Sequence, residues 1–338
     1  MNNKRFGCLG IGLVVLLLLS LALNFIFVVA GSTEVATNAM GVRAQLPKFE
    51  EALVLPGADG ASDRIAVISL RGIITGMEPG AIGETMVEDL KLQLEQAVAD
   101  AKVKAIVLHI DSPGGEVTAS DTIYNAVKRA RGKKPVVVYM GSVAASGGYY
   151  VACGAKWIVA NETTFTGSIG VIMQALNYEG LMSKVGLSTI TFKSGKMKDM
   201  LSGSRQPTEE EKAYLQALIM QTYGKFVGIV AKERNLPEQQ LRDGIADGRV
   251  VSGTDALAAK LVDQLGEVED AYAKARELGN AAGASVIRYE APFKLGRLLR
   301  ILGESGAQGS KIEIDLAKAL APRLEVGKLY FLPSFYVP

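Results

Sequence analysis

Among its 338 residues the chain has one histidine, His109, two cysteines, Cys8 and Cys153, and one tryptophan. Each shortage narrows the chemistry. A Ser-His-Asp triad could draw only on His109, and a lone histidine in an alternating strand is more often a core residue than a catalyst, so it stays a weak alternative. Cys8 borders an apolar N-terminal run and Cys153 lies in a small-residue region, which argues against a structural disulfide. Lys, Arg, Asp and Glu are absent between Arg5 and Glu34. Residues 6–30 are almost uninterruptedly apolar, longer than the roughly 20 residues that cross a bilayer and longer than the apolar part of a cleaved signal peptide. The expectation is an uncleaved signal anchor over residues 1–30. Lys4 and Arg5 keep its start inside, with everything after the span outside. With those two set aside, basic and acidic residues balance at 35 each, which gives no case for a nucleic-acid partner.

Residues 31–63, rich in small residues with Pro47 and Pro56, read as a tether. The folded part is expected from Arg64. Apolar strand candidates at 65–70, 103–110, 135–140 and 157–160 alternate with helical patterns at 84–101 and 122–131, and a further helix starts at Ser146. That alternation predicts an α/β fold with a largely parallel sheet. Thr208 with Glu211 forms a capping box opening a long helix toward Arg234, and Leu236-Pro237 ends it. Residues 64–280 form the expected main domain and 281–338 a C-terminal extension. Within the extension, 293–302 is basic and amphipathic, suited to packing on protein or to a lipid surface. Residues 329–338 are apolar and aromatic and should dock against protein, either in a substrate groove as a self-peptide or at a subunit interface.

The run Ala144-Ala145-Ser146-Gly147-Gly148 delivers a serine into a turn without side chains, where a carbonyl can approach the hydroxyl and backbone amides stay available. With histidine so scarce, a lysine becomes a serious candidate for general base. Lys193, Lys196 and Lys198 cluster beside Met197, Met200 and Leu201, whose apolar surroundings would favour a neutral amine at Lys198. A solvated basic loop is the plainer reading of the same cluster. Asp111-Ser112-Pro113-Gly114-Gly115, at a strand-to-helix passage, offers a second glycine pair for an oxyanion hole.

These runs, together with Thr166-Gly167-Ser168-Ile169-Gly170-Val171 and Asp247-Gly248-Arg249-Val250-Val251-Ser252-Gly253, resemble the short bacterial signal peptide peptidase A family over about residues 64–275. The resemblance implies a crotonase-like or Clp-protease-like fold of repeated ββα units and a Ser-Lys dyad, with Ser146 as nucleophile and Lys198 as base. It implies an oxyanion hole from Gly114 or Gly115 and Gly147, and a supporting Ser168 that orients the amine or passes a proton. It also implies a homo-oligomer whose serine and lysine come from neighbouring subunits. Lys260 stands where the family commonly has glycine. The expected activity is a serine endopeptidase of the bacterial inner membrane, needing no cofactor or metal, that degrades signal peptide remnants and short apolar peptides. Two rivals are a crotonase-type acyl-thioester hydratase or isomerase, and a catalytically idle membrane-anchored scaffold.

Overall fold

The computed structural model of the protein describes residues 49–77, 85–292 and 329–333, together with Leu17, Ser20 and Leu21. The chain divides into two compact units, Met1–Lys48 and Phe49–Pro338. In the first, Leu17, Ser20 and Leu21 are helical. The rest of the expected span at 6–30, like the amphipathic run at 293–302, lies outside the described residues. No helix among the described residues is long and apolar enough to cross a membrane.

The second unit begins with strands β1 (Glu50–Leu55) and β2 (Arg64–Arg71), helix α1 (Met86–Ala99), β3 (Val103–Ser112), the short β4 (Gly115–Glu116) and α2 (Val117–Arg131). There follow β5 (Val136–Ala145), α3 (Gly147–Ala152), β6 (Trp157–Ala160) and β7 (Phe165–Gly167). A largely exposed arm carrying α4 (Glu179–Lys184) leads to the long α5 (Glu209–Arg234). The remainder comprises α6 (Glu238–Arg242), β8 (Val250–Val251), α7 (Gly253–Ala258), β9 (Gln264–Leu265), α8 (Val268–Leu278), β10 (Ser285–Glu290) and β11 (Tyr330–Phe331).

β2, β3 and β5 are near-continuous runs of branched apolar residues, which suits strands covered on both faces. They pair in parallel, with Ile68 opposite Leu108 and Leu108 opposite Val138. The main sheet runs β1-β10-β2-β3-β5-β6-β9, and β7 joins the end of β5. Alternation splits β3 between two cores. Ile106, Leu108 and Ile110 join the larger core with residues of α1, α2, α3 and α5, whereas Ala105 and Val107 face Ala271, Tyr272 and Ala275 of α8. α1 starts where the Thr85 hydroxyl accepts the Glu88 amide, and it buries Val87, Leu90, Leu94 and Ala97 at helical spacing. The expected capping box at Thr208 and Glu211 opens α5, and Asn235 in the left-handed conformation closes it.

Both edges of the expected domain fall inside the fold. Residues 50–55, assigned to the tether, form edge strand β1, and 285–290, assigned to the extension, form β10 between β1 and β2. β10 pairs antiparallel with β1 and parallel with β2. The physical reason is burial: Val286 and Ile287 are covered, while Glu50 and Glu51 of β1 stay exposed as an edge strand allows.

Candidate active site

Ser146 occupies the junction of β5 and α3, and the end of β5 is shaped to deliver it. Between the pairs Ile110–Met140 and Ser112–Ala144, β3 has one residue and β5 has three, a bulge of two extra residues that redirects the strand. Its polar groups are satisfied locally: Val143 donates its amide to Asp111 Oδ1 at 3.1 Å. Thr164 and Thr166 donate their hydroxyls to the carbonyls of Gly141 and Ala144 at 2.8 and 2.7 Å. Ser146 itself has φ 51° and ψ −111°, outside the allowed basins of a non-glycine residue. Such strain costs about 1–3 kcal/mol and persists only where the surroundings enforce it. Here the Ser146 amide donates to the Gly167 carbonyl at 2.8 Å and its carbonyl accepts the Tyr150 amide at 2.8 Å. The Ser146 hydroxyl is buried and has no hydrogen-bond partner among the described residues.

The two glycine pairs meet at Gly147, the residue after Ser146. A Cβ on Gly147 would lie 2.6 Å from Ser120 Oγ and 3.1 Å from both Gly114 Cα and Gly115 N, so the approach is possible only for glycine. Gly114, with φ 105°, is equally crowded: its Cβ would fall 2.5 Å from the Gly147 amide nitrogen. The Gly114 amide donates to Ser112 Oγ at 3.1 Å. The Gly147 amide lies in a first helical turn that supplies it no intrahelical acceptor. Ser112 and Ser120 went unassigned in the sequence because only the folded backbone brings them to the glycines.

An extended peptide already lies across the site. β11 pairs antiparallel with β4, Phe331 opposite Gly115 and Tyr330 opposite Glu116. On its other side Tyr330 exchanges two backbone hydrogen bonds with Ile172, both 3.1 Å, and the Val117 amide donates to the Leu329 carbonyl at 3.2 Å. The C-terminal segment is thus held between two extended strips of backbone, the mode in which a sheet edge captures a peptide. The Phe331 ring stacks on Tyr150 at 5.0 Å and packs against Phe226 at 4.8 Å, almost wholly buried. Its carbonyl oxygen would lie 2.1 Å from a Cβ on Gly114, so it points into the glycine-lined pocket. The described part of the 329–338 run, residues 329–333, docks on the chain's own β4 and Ile172.

The remaining candidates divide. Ser168, with φ 49°, follows Gly167 directly and donates its amide to the Arg249 carbonyl at 2.8 Å, which puts it in the loop bonded to the Ser146 backbone. His109 is half-buried with its ring edge-on to Tyr139, 5.1 Å between centroids. By alternation it falls on the α8 side of β3, opposite the face packed by α3. Burial, reinforced by Arg71 and opposed by Asp111, holds its imidazole below the usual pKa. Of the three lysines, Lys193 pairs with Asp199 at 2.7 Å and Lys196 with Glu210 at 2.6 Å. Lys198 stands exposed on the arm, and its amine has no hydrogen bond or ion pair with any described residue. Ser146 and Lys198 therefore do not bond within one chain.

A strained serine at a strand-to-helix junction, two glycine strips beside it and a cleft holding an extended peptide are the apparatus of a serine protease, and the chain is one. A Clp protease family model matches residues 65–166, in keeping with the mixed α/β fold, and the model of peptidase family S49 matches residues 128–282. The chain is 39% identical over 240 residues to an Enterococcus faecium protein named "Putative signal peptide peptidase SppA", covering 69% of each. It is 41% identical over 219 residues to a Synechocystis protein named as a protease, covering 65% of this chain and 76% of that one. Protease 4 of Salmonella typhi is 39% identical over 233 residues, 68% of this chain but 37% of that longer protein. The chain belongs to peptidase family S49.

Proposed function

We propose that this protease is anchored in the bacterial cytoplasmic membrane with its catalytic part outside, and that it cleaves signal peptide remnants and other short apolar peptides with a Ser-Lys dyad shared between copies. The observation that carries the reading is the seat of β11. A backbone strip of the chain's own sequence lies beside Ser146 with an aromatic side chain in an apolar pocket and its carbonyl aimed at the glycines. A substrate held the same way presents its scissile carbonyl to the Ser146 hydroxyl.

In this mechanism the neutral Lys198 amine accepts the Ser146 hydroxyl proton as Oγ bonds to the carbonyl carbon. The carbonyl π electrons move to oxygen, and the resulting anion is met by the amides of Gly115 and Gly147. Collapse breaks the C–N bond, and the departing amine takes the proton back from Lys198. Water then repeats the sequence on the acyl-enzyme and frees Ser146. The sharing is supported by two facts about the single chain: a buried serine hydroxyl without a partner, and an exposed lysine without one. Burial in an interface favours the uncharged amine that such a step requires.

Turnover of a fluorogenic apolar peptide tests the assignment. Ser146→Ala and Lys198→Ala should each abolish it with the oligomer unchanged. Full activity in either variant would remove that residue from the dyad.

A further inference from the structure

The segment that carries the three lysines is tied down at one point. Asp199, the residue after Lys198, accepts from Lys193 Nζ at 2.7 Å and from Arg205 twice, Nε to Oδ2 at 3.0 Å and Nη2 to Oδ1 at 2.8 Å. The same guanidinium reaches Glu211, Nη1 to Oε2 at 2.9 Å and Nη2 to Oε1 at 2.5 Å. It also donates to the carbonyls of Asp199 and Gln206 at 3.3 and 3.0 Å. Glu211 is no surface partner: its side chain is 2% exposed, and its Oε2 accepts the Thr208 amide at 2.8 Å in the capping box of α5. A continuous chain of charge-assisted bonds thus runs from the lysine segment through Asp199, Arg205 and Glu211 to the start of a 26-residue helix.

A partly buried, bidentate network of this kind stabilises the segment it ties down. Geometry gives it a further use. Much of the arm is exposed, and its apolar side chains Leu176, Leu187, Ile190 and Phe192 are exposed with it. A base mounted on such an arm meets a serine on another copy only if its segment keeps one conformation, because a displacement of about 1 Å at a catalytic group can cost 100-fold in rate.

We propose that Arg205 is a positioning residue for the base: by bridging Asp199 to Glu211 it locks the segment that presents Lys198 to the serine of an adjoining copy. The inference rests on the shared dyad proposed above. A planar fork with donors on several edges is what the bridge requires, and lysine, a point charge, cannot span both carboxylates in that way.

The test uses the full-length protein in detergent, with pairs of variants co-expressed under two tags and purified through both. Asp199→Asn keeps Arg205, Glu211 and the capping box while weakening the hold on the segment. It should lower kcat by about 10- to 100-fold with KM within about twofold. Arg205→Lys, which breaks the bridge itself, should lower kcat at least as far, and Thr208→Ala, which weakens the helix cap alone, should lower the melting temperature and leave kcat in place. Mixed oligomers supply the readout that a purely structural role would not move. Asp199→Asn with Ser146→Ala should regain activity, because an intact arm then meets an intact serine, whereas Asp199→Asn with Lys198→Ala should not. Wild-type kcat in both Asp199→Asn and Arg205→Lys, beside an inactive Lys198→Ala, would overturn the positioning role and leave the dyad standing. Equal rescue by both mixtures, or by neither, would overturn it too. An active Lys198→Ala would dispose of the dyad itself and this inference with it.

Discussion

Replacing Gly147 with alanine separates the chemistry of the pocket from the stability of the fold. The new methyl would sit 2.6 Å from Ser120 Oγ and 3.1 Å from Gly114 Cα and Gly115 N, and the first distance is shorter than real contacts permit. Ser120 is fully buried in α2, so its hydroxyl has little room to retreat, and the other neighbours are backbone. Overpacking of this kind costs about 1–3 kcal/mol, while alanine for glycine in a helix returns about 1 kcal/mol. The net loss is then at most about 2 kcal/mol, which a domain stable by about 5–15 kcal/mol survives. At about 2–4 °C per kcal/mol the melting temperature drops by no more than about 8 °C. Activity responds differently. Pushing the two glycine strips apart takes an amide out of reach of the developing anion, and losing one such donor lowers kcat by about 100- to 1000-fold. Peptide turnover and thermal melting measured on the same sample make the comparison. Adding Ser120→Gly removes the tightest contact and should recover part of the loss. A folded, oligomeric Gly147→Ala with wild-type kcat would refute the placement of the anion pocket.

Two further perturbations probe other parts of the structure. Deleting residues 329–338 removes a tethered occupant whose effective concentration is of millimolar order, so the KM for an added apolar peptide should fall; an unchanged KM would mean that tail and substrate use different seats. Lys260 holds φ 60°, a left-handed conformation that favours glycine, and Lys260→Gly should raise stability by about 1 kcal/mol in thermal melts. A lower melting temperature would show that the Lys260 side chain contributes packing that outweighs its backbone strain.

The strands β2, β3 and β5 were legible because strands buried on both faces must be apolar throughout, and the start of α5 because a capping box is local chemistry. β1 was not, since Glu50 and Glu51 disguise an edge strand, and β10 was not, because its six residues acquire meaning only from two strands far away in sequence. The same division holds at the site. Ser146 and its glycines stood out because the nucleophile's neighbours must lack side chains. The engagement of the Gly114 amide needed Ser112 Oγ in place, and the aromatic pocket needed Tyr150 and Phe226 brought together by packing. The lysine cluster stayed ambiguous in sequence. Its resolution depends on which carboxylates the folded arm offers, Asp199 to Lys193 and Glu210 to Lys196.

The late position of β10 has a consequence for how the molecule comes into being. β2 pairs with β3 on one side, but every element from β2 to α8 can be synthesised before the strand on its other side exists, and until then that edge of β2 offers a row of unsatisfied amides and carbonyls to any passing strand. Such a contact between distant parts of the chain closes slowly. A polypeptide interrupted before Ser285 is therefore an aggregation hazard rather than a smaller enzyme, and completion of the sheet is deferred until nearly the whole chain has been made.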